Sequence, residues 1–272
     1  MFPRSRTHDT ARATASPTPS LDLSSDCDLV AVDTETTGLA WHDRLVEVGA
    51  VRFRGDRVLA RWQRLVNPRR SIPAHVVALH GLTDEVVAAA ADAREVLTDL
   101  QRFCGDTPLL AHNARFDRDL LATEFVRAGL LLPDNRFYCT WRLAKRCVPD
   151  APRYGLALLA EHLGLPGRST HRALPDAELT RELFLACRRR APERCTPTAL
   201  DANATEDGTP LSFRNAVRRL QRVPAALRAA REAGAVVTLG EARGVPVGMY
   251  AFGDEARVDL RAEDGTIVSV AL

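Results

Sequence analysis

The chain has 272 residues, of which 46% are hydrophobic and 26% charged, so it can form one ordinary domain with a smaller one beside it. Its formal net charge of +2 excludes a protein that binds nucleic acid through bulk basic charge alone. The six cysteines contain no C-x-x-C pair and no apolar run approaches a membrane span, which argues against disulfide frameworks, zinc sites and membrane proteins.

The first part of the chain is predicted to be a disordered tail followed by an α/β domain. Residues 1–26 are rich in Ser, Thr, Pro and Arg and carry few bulky apolar residues. Since no apolar targeting core precedes the domain, we expect a cytoplasmic protein with reduced thiols. The strands predicted after the tail are 29–33, 45–53, 58–66, 108–111 and a short one at 137–140.

Helical patterns follow and alternate with the later strands. The predicted helices are 72–79, 91–103, 114–128, 141–147, 155–163 and 175–190. Three early strands followed by alternating helices and strands predict a mixed sheet with helices on its faces. We expect every strand of this sheet to lie before residue 190 and the domain to span residues 27–190.

The remaining residues are predicted to form a linker and a small α+β module. Residues 191–208 are polar and rich in Pro, Thr and Asp, which is typical of a linker. The predicted accessory module, 209–272, combines helices at 212–221 and 224–233 with strands at 236–239, 246–252, 256–261 and 266–272. Arg214, Arg218 and Arg222 recur at helical spacing, which fits either contacts to a phosphate backbone or a solvated helix face.

Acidic residues stand at the end of the first strand. Asp33 and Glu35 are two residues apart, so their side chains leave the strand on the same face, about 6.6 Å apart along it. Asp117 lies near the start of the helix predicted after the strand at 108–111. Asp119 lies on a different side of that helix from Asp117 and is expected to be solvated. Two solvated acids at a strand end are the ordinary alternative for Asp33 and Glu35 taken alone.

A further acidic residue and a histidine lie around the start of the last long helix. Asp176 falls in the first turn, where the helix dipole favours a charged carboxylate; a simple cap is the alternative. His171 precedes it in a loop, where it is free to accept a proton near neutral pH, although most loop histidines are only surface residues. Four converging carboxylates suit two divalent cations, and the histidine suits a general base for hydrolysis of a phosphodiester.

Five motifs carry a family resemblance: VAVDTETTGL (30–39), LVEVGAV (45–51), HGLTDE (80–85), LLAHNARFD (109–117) and HRALPDA (171–177). In this order and spacing they resemble the DEDD exonucleases, in the branch with a histidine in the third motif (DEDDh). This branch includes the proofreading epsilon subunits of bacterial DNA polymerase III and their stand-alone relatives.

The resemblance implies a ribonuclease H-like fold and two Mg²⁺ or Mn²⁺ ions. Asp33 would bridge both ions, Glu35 and Asp176 would hold the first, Asp117 would support the second, and His171 would be the general base. Positions where the family contacts the 3′-terminal nucleotide are Thr36, Gly38, Leu39, His80, Asn113 and Phe116. For the last three, local hydrogen bonding and core packing are the alternative. Glu47 is interpreted as structural or as a residue that supports the ligands without binding an ion itself.

The function expected from this resemblance is 3′→5′ exonucleolytic hydrolysis of single-stranded or frayed DNA, which releases nucleoside 5′-monophosphates. The expected partners are single-stranded DNA or DNA 3′ ends, with RNA and a DNA polymerase or repair complex left open and no membrane. An RNA-trimming exoribonuclease is one alternative, because the acidic residues do not distinguish DNA from RNA. A non-catalytic nucleic-acid-binding or assembly subunit is the other, although binding alone has no need of a histidine base.

Overall fold

The structure is a computed structural model that describes residues 27–39, 43–130, 132–202, 211–213, 225–252 and 255–271. The predicted tail at 1–26 lies outside the described residues, as do Arg214, Arg218 and Arg222. Within the described residues, no helix is both long and apolar enough to cross a membrane.

A mixed sheet organises the larger part of the chain, as predicted. Its strands are β1 (Asp28–Thr36), β2 (Leu45–Arg54), β3 (Arg57–Leu65), β4 (Leu109–Ala111), β5 (Arg136–Cys139) and β6 (Leu211–Ser212). They lie in the order β3-β2-β1-β4-β5-β6. The first three pair antiparallel, whereas β4 is parallel to both β1 and β5. This places the carboxyl ends of β1 and β4 at the same edge of the sheet.

Helices cover both faces of the sheet. They are α1 (Ala74–His80), α2 (Asp84–Val87), α3 (Ala93–Cys104), α4 (Arg115–Arg127), α5 (Thr140–Cys147), α6 (Leu156–Leu163), α7 (Ala173–Arg190) and α8 (Pro197–Ala202). Alternate residues of β1 serve the two faces: Val30 and Val32 pack with α3 and α4, while Leu29 and Ala31 pack with α5, α6 and α7. A strand buried on both faces reads as a continuous apolar run, which is why it could be found from sequence.

The expectation that every strand of this sheet lies before residue 190 is wrong. Strand β6 pairs antiparallel with β5, and it occupies residues assigned to the accessory module and to its first helix. Phe213 follows β6 and packs edge-on against Phe125 and Phe137, with ring centroids 5.7 Å and 4.9 Å away. A two-residue strand has too little periodicity to be recognised, and its place is set by this aromatic contact.

The stretch predicted as a linker is partly folded onto the domain. It contains a 3₁₀ turn at Pro192–Arg194 and α8, and both Cys195 and Leu200 are buried in the core on the α7 side of the sheet. Because the stretch is mostly polar, the sequence did not indicate that these two apolar residues are buried. The division of the chain into a domain, a linker and an accessory module stays a prediction.

A smaller antiparallel sheet follows near the end of the chain. Its strands are β7 (Val237–Leu239), β8 (Ala242–Phe252), β9 (Glu255–Arg261) and β10 (Ile267–Ala271), and the helix α9 (Ala225–Ala233) precedes them. Its own core contains Leu227, Val258 and Leu260. Strand β8 also contacts α4 of the larger domain.

Helix α4 is consequently buried on nearly all sides, which corrects the interpretation of Asp119. That side chain is not solvated: Asp119 is 5% exposed and accepts a hydrogen bond from Arg118 at 2.7 Å. Residues 117–125 of α4 are all buried, so this part of the helix has no solvent-facing stripe, and β8 is among the elements that contact it.

Replacement of Phe213 by alanine is expected to destabilise the larger domain. The side chain is 2% exposed and fills the space between Phe125 and Phe137. Loss of a buried phenylalanine costs about 3–5 kcal/mol in the free energy of unfolding. Urea denaturation should show this loss, whereas Leu79→Ala, at a side chain 53% exposed, should change stability little. Equal stability of the two variants would contradict the core role of Phe213.

Candidate active site

The candidate site is formed where β1 and β4 end side by side. Because β1 and β4 are parallel and paired through Val30–Leu109 and Ala31–Leu110, the segments that follow them leave the sheet together. The end of β1 carries Asp33 and Glu35, and the segment after β4 leads directly into α4. Crevices outside the carboxyl ends of neighbouring strands are the usual location for sites in sheets with this topology.

Three carboxylates meet at this edge. Oxygen atoms of Asp33, Glu35 and Asp176 all lie within 4.8 Å of one another. Asp33 is partly exposed, whereas Glu35 and Asp176 are buried. Asp33 and Glu35 have the same parity as Leu29 and Ala31, so they face the side of the sheet on which α7 packs. The structure therefore brings together three of the four predicted carboxylates in one compact group.

The fourth carboxylate, Asp117, approaches from the other side of β1. Asp117 is 2% exposed and accepts a hydrogen bond of 2.7 Å from the hydroxyl of Thr34. Thr34 lies between Asp33 and Glu35 and points to the opposite face, toward α4. Asp117 is outside the compact group of three, yet it is close enough to raise the pKa of Asp33.

A close contact between β2 and α7 brings Asp176 to the strand end. A Cβ atom on Gly49 would lie 2.3 Å from the backbone nitrogen of Leu174 and 2.4 Å from the carbonyl carbon of Ala173. Only glycine permits this approach, because those contacts are with backbone atoms that cannot move aside. Glycine in a strand often marks such an approach, so this signal was present in the sequence.

Asp176 also orders the loop that carries His171. It accepts hydrogen bonds from the hydroxyl of Ser169 at 2.8 Å and from the backbone N–H of Thr170 at 3.0 Å. His171 follows at once, with an exposed side chain and a backbone φ of 50°. Few residues other than glycine adopt this left-handed conformation, so the loop is held in an uncommon arrangement.

Burial and mutual repulsion shift the protonation equilibria of the site. Burial raises the pKa of Glu35 to about 8, and the nearby Asp176 and Glu47 add to this effect. Burial likewise raises the pKa of Asp117 to about 7, against the hydrogen bond from Thr34. The pKa of Asp33 is raised for the same reason, with contributions from Asp117 and Glu35. Carboxylates crowded in this way favour a compensating positive charge among them.

The residues expected to contact the 3′-terminal nucleotide fall into two groups, and the first group is accessible to a ligand. Leu39 and Asn113 face solvent, with Leu39 79% exposed and Asn113 at a φ of 64°. Phe116 is half-buried against the core that includes α3 and α4. These three are free to meet a ligand, and their role in binding stays a prediction.

The other three are engaged within the protein. The hydroxyl of Thr36 donates to the carbonyl of Gly38 and accepts its N–H at 3.1 Å. His80 is buried: Nδ1 accepts the N–H of Leu82 at 3.0 Å, so Nε2 carries the proton donated to the Thr36 carbonyl at 3.2 Å. Burial also lowers the pKa of His80, which keeps the ring neutral. His80 therefore fixes the end of β1 through its ring hydrogen bonds.

A buried acid on α4, which the sequence did not single out, holds the segment before β2. Glu124 is fully buried and pairs with Arg44, at 2.7 Å and 3.1 Å, and with Arg127, at 2.9 Å. Arg127 also donates to the carbonyl of Asp43 at 3.0 Å, and the Asp43 side chain accepts from Thr37 at 2.8 Å. No local pattern identifies these partners, because about 80 residues separate Arg44 from Glu124.

Comparison with known proteins places this geometry in a family. Residues 30–184, more than half of the chain, match the RNase_T family, which is described as exonuclease. The chain belongs to the DEDD exonuclease family. The match covers the larger sheet from β1 to β5 and the elements that carry all five predicted catalytic residues.

Individual relatives agree with this assignment. The DNA polymerase III subunit epsilon of Treponema pallidum (strain Nichols) is 37% identical, over 57% of this chain and 73% of that protein. A Mycobacterium tuberculosis (strain CDC 1551 / Oshkosh) protein named as a bifunctional exonuclease/endonuclease is 39% identical over 58% of this chain. The match spans only 26% of that relative and 11% of the PolC-type DNA polymerase III of Bacillus cereus.

Solved structures show the same fold. Exonuclease X, in complex with 5′ overhanging duplex DNA, is 28% identical and aligns over 60% of this chain and 93% of its own with a TM-score of 0.50. Exonuclease I of E. coli, in complex with a dT13 oligonucleotide, is 18% identical with a TM-score of 0.55, over 62% of this chain and 42% of its own. At 18% identity, the similarity to exonuclease I shows the fold alone. The expected ribonuclease H-like fold is thereby confirmed.

The raised carboxylate pKa values predict that stability without metal ions falls as the pH rises. The folded state holds protons on Glu35 up to about pH 8, whereas the unfolded state releases them near 4.5, so folding is penalised progressively across this window. Thermal unfolding in EDTA should therefore show a lower Tm at pH 8.5 than at pH 6. Glu35→Gln should flatten this dependence and should be more stable than the parent at pH 8.5; an unchanged pH profile would contradict the interpretation.

Proposed function

We propose that this chain is a metal-dependent 3′→5′ exonuclease that removes nucleoside 5′-monophosphates from single-stranded or frayed DNA ends. The observation that carries the proposal is the convergence of Asp33, Glu35 and Asp176 at one sheet edge, with Asp117 behind β1 and an exposed histidine beside them. Membership in the exonuclease family supports the reaction class.

The side chains of the site fit divalent cations that prefer oxygen ligands. Only carboxylates meet there among the described residues, and burial together with repulsion favours a bound positive charge. Bound Mg²⁺ or Mn²⁺ would supply charge stabilisation on the phosphate oxygens and would make the attacking water more acidic. Asp33 lies between the other carboxylates and is the proposed shared ligand; Glu35 and Asp176 would hold one ion, and Asp117 would support the second.

His171 is the proposed general base. Its side chain is exposed, and the residue before it is hydrogen-bonded to Asp176, so the loop carries the histidine next to the carboxylates. A histidine accepts such a proton near neutral pH without a large change in environment.

The exposed Leu39 and the half-buried Phe116 are the proposed contacts to the terminal bases, with Asn113 beside them. Stacking or wedging against a base tolerates any sequence, which suits an enzyme that removes successive nucleotides. We expect the backbone of Thr36 and Gly38 to line the site behind this nucleotide, together with the ring of His80. Glycine at position 38 makes room for Asp43, since a Cβ atom there would lie 2.5 Å from an oxygen of the Asp43 carboxylate.

DNA is the proposed substrate because the relatives above include a DNA polymerase III subunit and a DNA-bound exonuclease. The test is digestion of 5′-labelled and 3′-labelled DNA and RNA oligonucleotides of identical sequence, with Mg²⁺, Mn²⁺ or EDTA. A ladder from 5′-labelled DNA, together with immediate release of the label from 3′-labelled DNA, is expected. Preference for RNA would favour the exoribonuclease alternative, and absence of cleavage would favour a binding subunit.

Substitution of Asp33, Asp117 or Asp176 by alanine should abolish nearly all hydrolysis, because each carboxylate is a proposed cation ligand. Circular dichroism should show that the variants remain folded. Asp99→Ala is the matched control, since among the described residues the ion pair of Asp99 is with Arg102, a neighbour on α3, at 2.9 Å. Wild-type turnover in any of the three site variants would remove that residue from the ligand set.

His171→Ala should lower turnover by about 10²–10⁴-fold, as expected for the loss of a general base. Cation affinity should be retained, because the carboxylates remain, and raising the pH should restore part of the rate as hydroxide becomes available. His162→Ala, on α6, serves as the control histidine. An unchanged rate and pH profile in His171→Ala would contradict the base role.

A further inference from the structure

Arg172 lies between the exposed His171 and the first turn of α7, and it is bound to a buried acid on β2. Its guanidinium donates from Nε to Glu47 Oε2 at 3.0 Å and from Nη2 to Oε1 at 2.6 Å. The arginine side chain is 39% exposed, whereas that of Glu47 is fully buried. A bidentate pair of this kind fixes orientation as well as distance.

Glu47 also caps α7 from a different element. Its Oε2 accepts the backbone N–H of Ala173 at 2.9 Å, and its Oε1 accepts from Gln63 Nε2 at 2.7 Å. The residue at the start of α7, Arg172, makes no side-chain cap of its own, so Glu47 satisfies a backbone group that would otherwise lack a partner. Burial raises the pKa of Glu47, but these hydrogen bonds outweigh it and lower the pKa overall, which keeps the side chain ionised.

The loop that carries His171 is thus held on both sides. Thr170, before it, is bound to Asp176 at 3.0 Å, and Arg172, after it, is bound to Glu47. Between these two anchors His171 adopts a left-handed backbone conformation. Such a conformation persists where its surroundings over-determine it.

We infer that Arg172 and Glu47 are positioning residues that set the orientation of His171 for proton transfer. This inference rests on the proposed function, because it assigns the pair a role in the same reaction. Arg172 would act through the histidine and would make no essential contact with the substrate. Lysine could not replace it, since an ammonium group cannot form the paired contact.

The deciding experiment measures kcat and KM on a 5′-labelled DNA oligonucleotide for Arg172→Ala, His171→Ala and the double variant. Arg172→Ala should lower kcat about 10–100-fold and leave KM within about twofold, as expected for a misplaced base. The double variant should be no slower than His171→Ala, because residues that act as one unit are not additive. Arg172→Lys should resemble Arg172→Ala.

Glu178→Gln is the matched control. It removes the charge from the pair between Glu178 and Arg61, at 2.6 Å, which also joins the sheet to α7 but involves no residue of the His171 loop. Its kcat should equal that of the parent. Multiplicative effects in the double variant, or a rise in KM alone in Arg172→Ala, would overturn the inference.

Limited trypsin digestion tests the same inference without activity. Cleavage after the exposed Arg168 should be faster in Arg172→Ala and in Glu47→Gln than in the parent, and unchanged in Glu178→Gln. Thermal unfolding identifies any variant that fails to fold. If the parent does not shorten DNA, the proposed function fails, but the rates of trypsin cleavage still decide whether the Arg172–Glu47 pair holds the loop. Equal trypsin cleavage rates in all four proteins would overturn the inference.

Discussion

Repulsion among carboxylates gathered at one sheet edge is the constraint around which this domain is built. Asp33, Glu35 and Asp176 lie close together and Asp117 stands behind them, so each raises the cost of ionising another. Left to themselves, these side chains would move apart into water. Their convergence therefore requires scaffolding, which packing contacts and hydrogen bonds provide.

That scaffolding uses a different device for each carboxylate. Asp176 is brought in by the glycine-mediated contact between β2 and α7, and Asp117 by its bond to the hydroxyl of Thr34. Asp33 and Glu35 are placed by the alternation of β1 itself, whose residues 29–32 are locked in the two cores. Glu47 differs from all of them, because arginine and backbone donors hold it as an ionised structural group.

Sequence reasoning succeeded where the pattern was local. The apolar run of β1, the i and i+2 relation of Asp33 and Glu35, and the helix after β4 follow from backbone geometry alone. It failed where a remote partner decides the outcome. Asp119 was predicted to be solvated because the sequence of α4 does not show which distant elements pack against the helix. Strand β6 was missed because two residues carry no periodicity. The partners of Glu47 and Glu124 were likewise hidden, since hydrogen bonds between distant residues leave no spacing to read.

The contacts of α4 make the two sides of the site depend on different parts of the chain. One side, the helix that carries Asp117, packs in the core of the larger sheet and also contacts β8 of the smaller one. The other side, residues 169–172, is held by hydrogen bonds to Asp176 and Glu47. The position of Asp117 therefore depends on both sheets, whereas that of the His171 loop depends on two acidic side chains.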